Sequence, residues 1–306
     1  MVDPLLVSEG FGIGPGWAGA EHEVVVPAGF AIEDLRGDLP RAEALLTAHA
    51  PVTEEMLDLA PHVRLVAKPG AGVDNIDVAA ASRRGVTVAN VPGARGRAVA
   101  EHALFLVLAL ARRAWLRDEA AWRDALAVQL GGRTLGIVGL GDIGSHLARF
   151  GHGLGMSVVA STRTPDASRV PDVPVRFVGF EELLREADVV VLCVPLSDRT
   201  HGLIDRTALA SMKDDALLVN VARGQVVVTE DLVEAMRAGR LGGAGLDVTD
   251  PEPLPPDHTL RRIPNVLLSP HNAGRTIESQ AEALERMRAN VRSVLAGGEP
   301  LDPVGR

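Results

Sequence analysis

Only one cysteine occurs in the 306 residues, there is no tyrosine, and aromatic residues make up 3% of the chain. Cys193 therefore has no partner for an internal disulfide, and its place in the apolar run DVVVLCVP predicts a buried, inert thiol rather than a nucleophile. Long hydrophobic runs are missing too. The longest, Ala103 to Ala111, is too short to span a bilayer, and Met1 to Gly10 lacks the basic, apolar and small-residue order of a signal peptide. A cytoplasmic location is expected. There is no basic run or basic patch interleaved with aromatics, and the net charge of −9 argues against sequence-independent binding of nucleic acid. No HExxH occurs, and Glu101-His102 and Asp257-His258 lack a further ligand at useful spacing, so no metal is expected and a metal-dependent hydrolase is set aside. Internal repeats and low-complexity tracts are absent, and the proline-rich stretch Pro251 to Pro256 is too short to be a linker.

What is present is a chain 46% hydrophobic, long enough for about two domains with sizeable cores. Its organising stretch is TLGIVGLGDIGSHLARFGHGLGMSVVASTRTP, Thr134 to Pro165. An apolar run, Leu135 to Val138, ends in Gly139-Leu140-Gly141-Asp142-Ile143-Gly144. Ile143, Leu147, Ala148 and Phe150 follow near helical spacing, and a second apolar run covers Met156 to Ala160. The pattern is strand, glycine turn, helix, strand. In such a turn the first glycine permits the bend, the second lets backbone approach a pyrophosphate, and the third lets helix and strand pack. The helix start offers unpaired N–H groups to the phosphates. Gly14-Pro15-Gly16-Trp17-Ala18-Gly19 fits the same spacing. It is read as a loop, because a proline stands where an amide would face phosphate and the next segment, Glu23 to Val26, looks like a strand.

Before this stretch, short apolar runs at Leu5 to Val7, Val24 to Val26, Leu45 to Leu46, Leu65 to Ala67 and Val86 to Ala89 alternate with helix-like segments such as Thr53 to Ala60 and Asp77 to Arg84. That alternation predicts a parallel sheet with helices on its faces. The loop Gly70-Ala71-Gly72-Val73-Asp74 follows directly on a strand, where open α/β sheets place ligands. Val99, His102, Ala103, Leu106, Val107 and Leu110 then predict one long helix from Arg97 to Arg113. Beyond Pro165 the expected elements are a helix at Phe180 to Glu186, strands at Val189 to Val194 and Leu217 to Asn220, and a helix at Glu230 to Ala238. Strands at Ala244 to Val248 and Val266 to Ser269 follow, then an amphipathic helix at Ile277 to Leu295 packing back across the domain boundary.

Three of these strand ends deliver polar groups: Ala222-Arg223-Gly224, Asp247 to Glu252, and His271-Asn272-Ala273-Gly274. All should emerge at the carboxyl edge of the sheet that carries the Gly139 turn. A carboxylate beside an imidazole favours the imidazolium, and an arginine offers a fork to a substrate carboxylate. Arg223, Glu252 and His271 beside a nicotinamide suit hydride transfer to a 2-oxo acid.

LGIVGLGDIG, VNVARG, DVTDPEPLP and SPHNAG, with GAGVDNID and VAEHAL upstream, resemble the D-isomer-specific 2-hydroxyacid dehydrogenase family over nearly the whole chain, most closely its short glyoxylate or hydroxypyruvate reductases. The resemblance implies a Rossmann-type doubly wound α/β domain, residues 96–274. This would be inserted into a smaller, discontinuous, flavodoxin-like substrate domain, residues 1–95 plus 275–306, with a cleft between them and dimerisation through the cofactor domain. It assigns the carboxylate-binding arginine to Arg223, the proton-exchanging histidine to His271, its paired glutamate to Glu252, and the aspartate near the nicotinamide carboxamide to Asp247. Ala71 and Gly72 are similar to the loop that offers N–H groups to the substrate carboxylate. Cofactor contacts are expected at Gly139, Gly141, Asp142, Ile143, Gly144, Ser161 to Thr164, Val194, Pro195, Thr200, Val221, Ala222, Asp247, His271 and Gly274. Members that oxidise formate have glutamine in place of the glutamate, so Glu252 speaks against formate. The short stretch after His271 leaves no room for the regulatory domain of long phosphoglycerate-oxidising relatives.

NAD readers place an acid about twenty residues beyond the glycine turn. Here no acid occurs between Asp142 and Asp166, and Ser161, Thr162, Arg163 and Thr164 suit a 2′-phosphate, so NADPH is expected ahead of NADH. Family members commonly have an asparagine and an acid where this chain has Arg95 and Arg97; the two arginines either favour a more anionic substrate such as a dicarboxylic 2-oxo acid, touch the cofactor phosphates, or are simply solvated. The alternative from another class is a dinucleotide-sensing, corepressor-like protein without significant turnover, against which stands the lack of basic targeting runs and disordered extensions.

Overall fold

A computed structural model describes residues 4–8, 13, 16, 17, 19, 22–116 and 118–305. Gly14, Pro15 and Ala18 of the rejected glycine pattern lie outside the described residues, as do Met1 to Asp3, Glu9 and Gly10 of the segment read for a signal peptide. The chain divides into two compact units, one running to Arg95 and resuming at Thr276, the other Gly96–Arg275.

The first unit begins β1 (Pro4–Val7), β2 (Glu23–Val25), α1 (Ile32–Leu35), β3 (Ala44–Leu46), α2 (Glu54–Asp58), β4 (Leu65–Ala67), α3 (Val78–Arg83) and β5 (Thr87–Ala89). All strands run parallel in the order β2-β1-β3-β4-β5, a doubly wound arrangement of the flavodoxin type. Parallel strands bury both faces, and these obey the rule. Leu6, Leu45, Val66 and Val88 face one core, with Leu35, Met56 and Ala80 from the short helices. Leu5, Leu46, Leu65 and Ala89 face the other. Thr53 and Asp77 start α2 and α3 by accepting the N–H groups of Met56 and Ala80.

The second unit holds α4 (Gly96–Ala111), α5 (Glu119–Asp124), β6 (Thr134–Val138), α6 (Asp142–Gly153), β7 (Ser157–Ser161), β8 (Val175–Phe177), α7 (Phe180–Glu186), β9 (Val189–Leu192), α8 (Arg206–Ser211), β10 (Leu217–Asn220), α9 (Thr229–Arg237), β11 (Gly243–Leu246) and β12 (Val266–Leu268). Its seven parallel strands lie in the order β12-β11-β10-β9-β6-β7-β8. Chain direction across the sheet reverses between β6 and β9, so this Rossmann-type sheet has its switch point at the glycine turn. Leu135, Ile137, Val191 and Val219 pack under α4 and α6, while Val190, Leu192 and Leu218 pack under α7, α8 and α9.

The last helix, α10 (Ile277–Leu295), rejoins the first unit and lies against β4 and β5. Ala283, Met287, Val291 and Val294 form its buried stripe, and Thr276 and Ser279 make a capping box at its start. Arg64 donates to the carbonyls of Val294 and Leu295, closing the far end.

Four elements have no counterpart in the sequence reading. Helix α1 has four residues and buries only Leu35. Helix α5 buries no residue and so has no apolar period. Strand β8 is a half-buried edge of three residues, and α8 is a six-residue helix burying only Ala208 and Leu209. Strand β9 stops at Leu192, two residues short of expectation, although Cys193 N–H still donates to the Val138 carbonyl.

Candidate active site

The glycine turn joins β6 to α6, and each glycine has its own reason. Gly139 stands at φ 97°, and a Cβ there would lie 2.9 Å from the Cys193 carbonyl oxygen. At Gly144 a Cβ would meet the Gly139 carbonyl oxygen, so only glycine lets α6 start this close to the turn. At Gly141, the N-cap, a Cβ would meet nothing. That open space lies at the unpaired N–H groups that begin a twelve-residue helix, the kind of end that attracts phosphate. Asp142 and Ile143 are the first residues of α6, where Asp142 is 3.7 Å from His146. Gly139 N–H donates to the Ser161 carbonyl, tying the turn to the end of β7.

Beyond Ser161, Arg163 and Thr164 are exposed, and Arg163 has no hydrogen bond or ion pair to the described residues. Asp166, the nearest acid, accepts from the Ser168 hydroxyl and N–H, which hold its carboxyl below the usual range. Past β9, the Thr200 hydroxyl donates to the Pro195 carbonyl and accepts from Ser197 N–H, folding the turn after Val194. Cys193 is desolvated and its thiol pushed up to about 12, which keeps it protonated.

The ends of β10, β11 and β12 are neighbours: Asn220 pairs with Leu246, and Leu246 with Leu268. Val221 and Ala222 are buried at the first of these ends. Asn220, itself buried, accepts from Ala222 N–H and donates to the Arg223 carbonyl, fixing the turn from which Arg223 extends. Gly224 packs so closely on the Thr249 and Asp250 backbone that any side chain would collide with it. Thr229 donates to the Asp250 carbonyl, holding the same loop from α9. Glu252 leaves this loop and meets His271, with Oε1 at 2.6 Å from Nδ1. His271 stands at φ 51°, a left-handed conformation that non-glycine residues avoid. Its N–H donates to the Asp247 carbonyl, and the Asp247 carboxylate accepts from Asn272 and Ala273 N–H and from the Ser269 hydroxyl. Three donors therefore settle the carboxylate of an aspartate only 2% exposed and hold the loop that carries the imidazole.

Ala71 and Gly72 belong to the other unit, directly after β4, where Asn90 donates to the Ala71 carbonyl. Arg95 donates to Gln280, and Arg97 pairs with Glu101 one turn along α4 while remaining 74% exposed. Sequence reasoning passed over Asn220, Ser269 and the site role of His102, whose Nε2 is 2.8 Å from Ser269 Oγ. The one available signal was polarity within otherwise apolar runs. Among the described residues no group of three or more histidine, cysteine or acidic side chains could hold a metal ion, and no helix is long and apolar enough to cross a membrane.

A glycine turn at the switch point, with an imidazole and carboxylate paired on strand ends of the same sheet, defines a site of the dinucleotide-dependent oxidoreductase class. Residues 104–273 match the NAD binding domain of the D-isomer specific 2-hydroxyacid dehydrogenases. The chain is 38% identical over 265 residues to glyoxylate reductase of Aeropyrum pernix, covering 82% of this chain and 79% of that one. It is 37% identical over 265 residues to D-3-phosphoglycerate dehydrogenase of Archaeoglobus fulgidus, covering 84% of this chain but spanning only half the length of that relative. Among solved structures, D-lactate dehydrogenase of Aquifex aeolicus complexed with NAD and lactic acid superposes with a TM-score of 0.89 at 26% identity, covering 99% of both chains. The chain belongs to the D-isomer specific 2-hydroxyacid dehydrogenase family, a family of oxidoreductases.

Proposed function

We propose that the protein reduces a small 2-oxo acid to the D-2-hydroxy acid. The observation that carries this reading is the 2.6 Å contact between His271 Nδ1 and Glu252 Oε1, on strand ends of the sheet that bears the glycine turn. With Nδ1–H donating to the glutamate, Nε2 is the nitrogen that exchanges a proton with substrate. Bound at the Gly139 to Gly144 turn, a reduced nicotinamide dinucleotide supplies hydride to C2. Protonated His271 donates to the carbonyl oxygen as C2 gains hydride, and Glu252 stabilises the imidazolium before that transfer. Arg223 holds the substrate carboxylate with its planar fork and stabilises the negative charge developing on the neighbouring oxygen, and Ala71 and Gly72 are the substrate-binding N–H donors of the first unit. The first unit is in this reading the substrate domain and the second the cofactor domain. In this reading Asp247 would serve the carboxamide end of the dinucleotide, and Val194, Pro195, Thr200, Val221, Ala222 and Gly274 would hold the rest of it.

NADPH is the cofactor this reading favours. Arg163 stands exposed at the end of β7 with Thr162 and Thr164, while the nearest acid, Asp166, is engaged by Ser168. Glyoxylate and hydroxypyruvate are the substrates, supported by the glyoxylate reductases among the similar proteins. The pairing of Arg97 with Glu101 supports a solvated role for that arginine rather than a reader of dicarboxylates. A cytoplasmic homodimer formed through the cofactor unit fits the exposed Phe105, Trp122 and Leu126 on and beside α4 and α5. The test is kcat/KM for a panel of 2-oxo acids with NADPH and with NADH. Turnover of glyoxylate or hydroxypyruvate with NADPH preferred supports the reading. Dinucleotide binding without turnover overturns it, and a strong NADH preference overturns the cofactor assignment.

A further inference from the structure

Helix α4 lies along β11 in a register fixed by two glycines. A Cβ at Gly243 would stand 2.8 Å from Leu110 Cδ2, and one at Gly245 would stand 3.0 Å from Leu106 Cβ, so the two leucines rest directly on strand backbone. Four helical residues advance about 6 Å and two strand residues about 6.6 Å, so the same face of α4 continues to His102 opposite residue 247. An apolar stripe thus ends in an imidazole where the strand gives way to the loop. There His102 Nε2 is 2.8 Å from Ser269 Oγ and 3.6 Å from Asp247 Oδ1, and its side chain is 20% exposed.

Proton counting gives the contact a direction. The Ser269 hydroxyl has one proton, which goes to Asp247 Oδ1 at 2.7 Å, so Ser269 accepts from His102 and Nε2 of that ring carries a hydrogen. The chain of donors then runs from α4 through Ser269 to the Asp247 carboxylate, whose remaining lone pairs hold Asn272 and Ala273 N–H at 3.0 Å each. The left-handed backbone of His271 is thus held by a relay that begins on a helix.

We propose that His102 is a positioning residue for His271, acting through Ser269 and Asp247 on the backbone from which the imidazole projects. This rests on the reading above, in which His271 is the proton donor. His102 touches neither substrate nor cofactor in this role, so its loss lowers kcat and leaves binding alone.

The test compares His102→Leu, which keeps bulk without a donor, His102→Gln, whose amide restores one, Ser269→Ala, and the double variant His102→Leu/Ser269→Ala. Turnover is measured alongside reduced-dinucleotide affinity and amide hydrogen exchange. His102→Leu and Ser269→Ala each lower kcat about tenfold with KM and dinucleotide affinity within about twofold, and the double variant is no worse than either single one. His102→Gln stays within about threefold of wild type. Exchange at Asn272 and Ala273 quickens about tenfold in the first two and not in His102→Gln, while β9 amides are unchanged. Unchanged kcat in His102→Leu, additive losses, a His102→Gln as impaired as the leucine variant, or faster exchange throughout the unit would overturn the proposal. If the wild-type protein reduces no 2-oxo acid, the proposed function falls, and the exchange at residues 272 and 273 still decides the relay.

Discussion

His271 occupies a conformation that costs a non-glycine residue on the order of 1 to 3 kcal/mol, and the surrounding bonds to Asp247 over-determine it. The strain fixes where the ring stands, and Glu252 fixes which nitrogen faces outward. Replacing Glu252 with glutamine keeps size and a hydrogen bond but removes the charge that favours the imidazolium. We expect the rate of 2-oxo acid reduction to fall by roughly 10²-fold, with dinucleotide affinity within about twofold by fluorescence titration. A rate within threefold of wild type would remove Glu252 from the mechanism. That these two side chains lie at one sheet edge was legible in the sequence, because each follows a buried apolar strand and the edge follows from strand order. Asn220, Ser269 and His102 were not. Their signal is a partner, and partners distant in sequence become visible only once strands are paired.

At the scale of elements, the opposite edge of the second sheet is tied by Asp188. Its N–H donates to the Thr134 carbonyl and its own carbonyl accepts Leu217 N–H, while its carboxylate accepts from Thr134 N–H at 2.8 Å and Lys213 Nζ at 3.0 Å. One residue thus joins the starts of β6, β9 and β10. Burial, the largest single influence, pushes its carboxyl upward, but the Thr134 N–H, Lys213 and Arg133 together outweigh it and hold the group below its ordinary value. A depressed carboxylate stabilises the fold fully above the unfolded value near 4, and that contribution is lost as pH falls through the folded value. Asp188→Asn is therefore expected to lower unfolding free energy by about 1 to 2 kcal/mol at pH 7, a gap that narrows below about pH 4. Denaturant titrations at the two pH values check this, and an equal loss at both would contradict it. Long periodic elements such as α4, α6 and α10 were legible, and strands β9 to β12 were placed to within a few residues. Helices α1, α5 and α8 and strand β8 were not, since elements this short bury too few apolar side chains to mark a period.

For the whole molecule, two doubly wound sheets follow from a chain in which short apolar runs alternate with helical ones, and no other arrangement buries strands on both faces so simply. The substrate was less legible, because the groups that would choose among 2-oxo acids are few and the strand pattern does not encode them. A dinucleotide that binds the folded chain alone stabilises it by about 2.7 kcal/mol at a hundredfold excess over Kd, which for a chain of this size raises Tm by roughly 4 °C. NADPH should produce that rise in thermal scans, and Gly141→Ala, whose Cβ enters the open space with no neighbour within 4 Å, should abolish it while leaving the unliganded Tm within about 2 °C. A full rise in the alanine variant would place the dinucleotide elsewhere. The most direct examination of the chemistry is isotopic: glyoxylate or hydroxypyruvate is reduced with NADPH deuterated at nicotinamide C4, in wild type and in His271→Ala. We predict deuterium at C2 of the product, in the D configuration wherever C2 becomes a stereocentre, and near-complete loss of product in His271→Ala with dinucleotide affinity retained. Product with solvent hydrogen at C2, or wild-type rates in the alanine variant, would contradict it.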